Sequence, residues 1–544
     1  GRGSVARPAA GDTFDYVVVG GGSAGCVVAG RLAAAGATVL VLEAGGSDRR
    51  PDVWLPAGVV SAYKLCNWKY VPSPDPSRGG LVESWPAGRI LGGTGSINGT
   101  VFVRGNPADF DAWAAGGCAG WDHASVLPYF RRLETWAGPP HPDRGTDGPI
   151  HVGFHAMPHP SADLFLAAAV EAGHPRNADY NSGAQEGAGV VQVNQRRGIR
   201  SQSSRGHLRG LPGAARITVR RKAFVERVVI DGHGRATGVE YRHRGQRHVA
   251  RAGREVILSG GTLASPKILM LSGVGPKAEL DRHGVAVVAD SPGVGSNLRD
   301  HIGALQRWHT SLPTVNELGP ADGARAVVEY ARHGSGPLAA VVFQVQVILR
   351  TRPERARPDI QLAFASFGIV REQGPDGMMK VEPAKHRSVM VTTALLGPRT
   401  SGRVRLRSAD PAAPPVIDYE MLADPADVTD LMAGMAEARR IMAQPAIAGI
   451  VGDPFEPERD CRTADDWRRW VHSQATYGVH YVGTCRMGDD DLAVVDPELR
   501  VRGVDALRVV DASVMPDPTS GNTNAPTMMI AERAADLILE RSPR

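Results

Sequence analysis

Apolar and polar positions follow two textures along this chain. Near the N-terminus the apolar residues come in unbroken runs, Tyr16 to Val19 and Thr38 to Leu42, the pattern of strands buried on both faces of a parallel sheet. An Ala/Val/Leu-rich stretch between them, ending near Gly36, predicts a helix. Residues 217–241 instead alternate apolar and polar on both sides of Asp231-Gly232, which predicts a β-hairpin. From about Ala304 to Gln474 short β-like runs at 339–350, 358–368 and 387–408 are separated by Pro, Gly and charged turns. Residues 426–444 carry apolar positions at helical spacing, so this part predicts an antiparallel sheet with intervening helices. The methionines of that helix are assigned to its packed core. Near the C-terminus another buried strand ends on Asp511-Ala512.

The first strand runs into Gly20-x-Gly22-Ser23-x-Gly25, and the second ends on Glu43. Gly20 allows the tight turn, Gly22 lets backbone approach a pyrophosphate, and Gly25 lets helix and strand pack closely, while the helix N-terminus offers free amides to phosphate. Glu43 lies about twenty positions beyond the glycines, where a carboxylate takes a ribose hydroxyl. The order strand, loop, helix, strand, acid predicts a dinucleotide site for FAD or NAD, and the acid disfavours the 2′-phosphate of NADP.

Composition narrows the class. At 544 residues two or three domains are expected. An apolar fraction of 42% and a charged fraction of 22% are values of a soluble globular protein, and no run reaches the length of a membrane span. The net charge of +5 comes mostly from scattered arginines, which predicts no nucleic-acid surface. Cys26, Cys66, Cys118, Cys461 and Cys485 lack paired CxxC spacing and are read as reduced thiols. With no apolar segment typical of a secretory signal at the start, a cytoplasmic protein is expected. No metal constellation is seen; three histidines at 151–159, among prolines, fit a loop.

The segment 85–113, "WPAGRILGGTGSINGTVFVRGNPADFDAW", resembles the glucose-methanol-choline (GMC) family of FAD-dependent oxidoreductases. So do 260–276, 293–303 and 494–538. The resemblance implies a Rossmann-like α/β FAD-binding domain and a discontinuous α+β substrate domain built on an antiparallel sheet. The expected division gives residues 12–150, 196–303 and 475–544 to the first, and 151–195 and 304–474 to the second. Arg89, Gly92, Gly93, Asn98 and Val103 are then expected along the flavin and its diphosphate, Val225 against the adenine, and Asp511 and Ala512 against the flavin. Some members attach FAD through a histidine whose position here is Ile97, so non-covalent FAD is expected. One face of the substrate sheet should roof the cavity, with Phe343, Gln344, Gln346, Gln361 and Phe364 as candidates.

His480, between Val479 and Tyr481, reads by itself as a satisfied core histidine. The resemblance places it instead on the family's catalytic histidine, with Tyr481 where a proline is common. The second family position maps to Asn524, and an amide cannot take a proton, which makes His480 the base and Asn524 the positioner; His472 is the fallback. The expected reaction is oxidation of a small-molecule alcohol to the aldehyde or ketone by hydride transfer to flavin N5, with O₂ or another electron acceptor. Gly478 could leave space for O₂. Rival readings keep the fold and change the chemistry, to a hydroxynitrile-lyase-like enzyme or a photodecarboxylase-like one; a third is flavin binding without catalysis.

Overall fold

The computed structural model describes residues 13–155, 158–317, 320–333, 336–457 and 461–541. Strand β1 (Thr13–Val19), helix α1 (Ser23–Ala34) and strand β2 (Val39–Glu43) form in the predicted order. Val17, Val18 and Val39 to Val41 are fully buried, as continuous apolar runs require. Gly20 takes φ +96°, and a Cβ on Gly25 would lie 1.9 Å from the Gly20 carbonyl oxygen. Any side chain there would push α1 off the loop.

β1 and β2 belong to a seven-stranded sheet. Along it the order is 223–230, 236–243, 246–258, β1, β2, 217–221, with Leu507–Val509 paired to the end of 246–258. The 246–258 strand belongs to two regimes: antiparallel to 236–243 along its first half, parallel to β1 along its second. The predicted hairpin is the 223–230/236–243 pair.

A second seven-stranded sheet runs 451–456, 302–310, 388–395, 360–365, 345–349, 187–190, antiparallel throughout, with Thr476–Tyr477 added to the start of 302–310. Helices Pro425–Met442 and Pro160–Glu171 cover one face of it. Leu431, Met435, Ala438, Ile441, Phe165 and Ala168 pack there against Val347, Leu362, Phe364 and Val391. Gly434 allows the close contact, since a Cβ would meet Ile360 at 2.7 Å.

Residues 151–163 differ from expectation. They hold strand Ile150–Phe154 and the start of helix Pro160–Glu171 rather than a loop alone. Alternation buries Ile150 and Val152, Pro160 occupies the first helical position, where its missing N–H costs nothing, and the His159 ring accepts from the Ser161 amide. Cys26, Cys66, Cys118 and Cys485 are buried free thiols and Cys461 is half-buried. Among the described residues no helix is long and apolar enough to cross a membrane.

Candidate active site

The two sheets enclose a cavity of about 1120 Å³, larger than one small ligand needs. Its floor is the β1–α1 loop: Gly20, Gly22 and Ser23 line it, with Glu43 at the end of β2. Helix α1 has no side-chain cap and no acidic residue in its first turn, so its leading amides are free for a phosphate. Gly93 (φ +57°) comes so near Gly22 that a Cβ would meet Gly22 Cα at 2.7 Å, bringing a second backbone loop to the same point.

Glu43 accepts from the amides of Gly21 (2.9 Å) and Gly45 (2.6 Å). These bonds aim its carboxylate, which keeps lone pairs for a hydroxyl. Burial pushes the Glu43 carboxyl up to about 7, opposed by those amides and by Arg89. Arg89, whose guanidinium lies 4.5 Å over Trp68, lines the cavity with Asn98 and Val225, and Asp511 and Ala512 line it too. Asp511 is held by Ser265 (2.6 Å), Ser513 and the Gly261 amide (2.9 Å). Uncapped helix amides, a close double-glycine contact and an aimed carboxylate are the groups an adenine dinucleotide needs, so the residues present fit FAD.

Three expected residues stand behind the wall. Gly25 and Gly92 act as packing glycines; the Gly92 amide donates to the Gly21 carbonyl at 2.6 Å. Val103 is fully buried beside Val193 and Val341, and its side chain does not line the cavity. Val101, two residues earlier, lines the cavity instead.

His480 lines the cavity, half-buried. The preceding Val479 holds φ +64°, a left-handed conformation costly for a β-branched residue, about 1–3 kcal/mol. Asp300 holds the segment there by accepting from the amides of Gly478 (2.9 Å) and His480 (2.7 Å). Burial pushes the Asp300 carboxyl up to about 7 against these amides. Tyr481, where proline was expected, stacks on Trp85 with centroids 4.6 Å apart, and its carbonyl accepts from Thr262, so ring stacking and hydrogen bonds fix this backbone.

The ring nitrogens of His480 are both engaged. Nδ1 lies 2.9 Å from His301 Nδ1, and Nε2 lies 3.1 Å from Asn522 Nδ2. His301 Nε2 lies 3.0 Å from the Thr519 carbonyl, which can only accept. A neutral His301 therefore carries its proton on Nε2, its Nδ1 accepts from His480 Nδ1–H, and His480 Nε2 keeps a lone pair. Burial pushes His480 down to about 4 and His301 well below its ordinary value.

Asn524 also lines the cavity, but its Oδ1 accepts from the Ser23 hydroxyl at 2.7 Å; the amide that reaches His480 belongs to Asn522. His472 bonds the Ser77 carbonyl at 2.7 Å and does not line the cavity. The lack of a side chain on Gly478 serves packing: a Cβ would meet His301 Cβ at 2.8 Å. Of the proposed roof residues, Phe343, Gln346 and Gln361 face the cavity. Phe364 points to the opposite face, stacked on Phe165 at 4.5 Å, and Gln344 accepts from the His159 amide.

A dinucleotide cradle closed by a roof that carries a neutral histidine defines an oxidoreductase with a bound dinucleotide cofactor. Residues 14–303 and 398–531 match the models of the GMC oxidoreductases, and the chain belongs to that family, which makes it an FAD-dependent alcohol oxidoreductase. It is 39% identical over 539 residues to an oxygen-dependent choline dehydrogenase of Sinorhizobium medicae, covering 97% of this chain and 96% of that one. Among solved structures it resembles pyridoxine 4-oxidase from Mesorbium loti (28% identity, TM-score 0.86, 96% and 98% of the two chains). It also resembles a formate oxidase (28%, 0.89, 97% and 98%).

Proposed function

We propose that the chain oxidises an alcohol to its aldehyde or ketone, with His480 as general base and Asn522 as the group that positions the substrate oxygen. The observation that carries this is the His301–His480 contact, which leaves the His480 Nε2 lone pair directed toward Asn522. Bound FAD supplies the hydride acceptor, its N5 atom. A substrate hydroxyl at His480 Nε2 gives up its proton there, and the Asn522 amide donates to the oxygen as negative charge develops, an interaction worth most in a dry site. His301, bonded to Thr519, holds the imidazole in the required tautomer. Asn524 belongs to the cofactor cradle in this reading, alongside Ser23, and the division into FAD-binding and substrate parts is kept. The electron acceptor is O₂ or another oxidant.

The test is anaerobic addition of an alcohol panel to the purified flavoprotein, following the visible flavin bands: bleaching by an alcohol supports oxidation, and no bleaching by any alcohol overturns it. Two further outcomes are expected. Since His480 is pushed down to about 4 and the neutral form is the active one, kcat/KM should rise with pH through about 4; a profile with no limb near 4 would contradict this assignment. Ile97 stands where a histidine would be needed for attachment, so acid precipitation should release all the FAD into the supernatant. Yellow colour retained in the pellet would refute that.

A further inference from the structure

Residues Leu305, Thr392, Ala363 and Gln346 lie opposite one another across four strands of the second sheet, all facing the cavity. From His480 an amide ladder runs along this roof: Asn522 Nδ2 to His480 Nε2 (3.1 Å), Gln361 Nε2 to Asn522 Oδ1 (3.4 Å), and Gln361 Nε2 to Gln346 Oε1 (2.7 Å). It ends on a free donor. Gln346 is 1% exposed and its Nε2 has no partner, nor has the buried Thr392 hydroxyl two strands away. An unpaired buried donor costs about 1–3 kcal/mol, which a ligand acceptor recovers. Around these groups the lining is apolar: Phe343, Phe367, Ile369 and Met390.

Charge decides what this wall accepts. Among the described residues three carboxylates line the cavity, and each is engaged: Glu43 and Asp511 by the cradle, and Glu83 by Arg78 (2.5 Å) and Arg371 (2.9 Å). Arg371 and Lys64 line the cavity as well. A cationic headgroup would find no free counter-charge there, and burying an unpaired charge is costly.

We propose that the substrate is an uncharged alcohol with an apolar body and a second, hydrogen-bond-accepting oxygen that the Gln346 amide binds. This rests on the oxidoreductase reading and separates the chain from relatives named for choline, a cation.

Non-reacting probes test it: the oxidised holoprotein is titrated with benzaldehyde, its 2-, 3- and 4-methoxy derivatives, and tetramethylammonium, following perturbation of the flavin bands. At least one methoxy isomer should bind about tenfold or more tightly than benzaldehyde, and Gln346→Leu should bring that ratio to about one. Tetramethylammonium should give no saturable change in the wild type and should gain affinity in Gln346→Glu, which keeps the side-chain shape. Tetramethylammonium binding as well as benzaldehyde, no methoxy isomer gaining, or a ratio unmoved by Gln346→Leu would each overturn the proposal. Should Gln346→Leu fail to hold flavin, the wild-type ranking of neutral against cationic probes still decides. If alcohols fail to bleach the flavin while the aldehydes keep this order, oxidation falls and the specificity assignment stands.

Discussion

His480→Ala is expected to slow anaerobic flavin bleaching by a good alcohol substrate about 10²- to 10⁴-fold, the range of a lost general base. The effect should fall on the rate of reduction more than on substrate affinity, because the proton moves in the reacting step. His301→Ala should act through His480. It removes the acceptor of the Nδ1–H bond (2.9 Å), so the imidazole can exchange tautomers, and the rate should fall while the pH profile shifts. Equal bleaching by wild type and His480→Ala would return His480 to the role of a satisfied core histidine.

The second large effect separates two asparagines. Asn522→Ala should lower the reduction rate about 10²- to 10³-fold, the cost of one donor aimed at a developing oxyanion. Asn524→Ala removes the acceptor of the Ser23 hydroxyl and should show first as weaker FAD retention. Rapid-reaction traces and the flavin-to-protein ratio, measured on both variants, resolve the two. A reduction defect confined to Asn524→Ala would restore the assignment made from sequence.

The cradle was legible because it is local. Gly20, Gly22, Ser23, Gly25 and Glu43 lie within one strand–helix–strand unit, and chain order alone fixes their arrangement. The roof was half legible. Alternation says that Gln346 and Val347 face opposite ways, but which face is buried by Phe165 and Met435 is decided by helices distant in sequence. Asn522 and Asn524 differ in setting because the 524–538 helix begins between them, and a boundary of that kind is the least certain feature of any sequence pattern. The role of His301 had no local signal: its meeting with His480 spans 179 positions and depends on the pairing of Ile302 with Tyr477.

That pairing bears on how the enzyme can be altered. Asp300 and His301 run directly into the 302–310 strand, and the Thr476–Tyr477 strand leading to His480 is bonded to the same strand at Gly303 and Ile302. Roof and base are therefore one piece of hydrogen-bonded chain, and the spacing between them does not depend on how two domains settle against each other. A larger substrate is best accommodated by shortening side chains that project from the roof, such as Leu305 or Met390. Inserting residues at 302–304 would shift the histidine pair out of register and cost the proton-accepting geometry along with the added room.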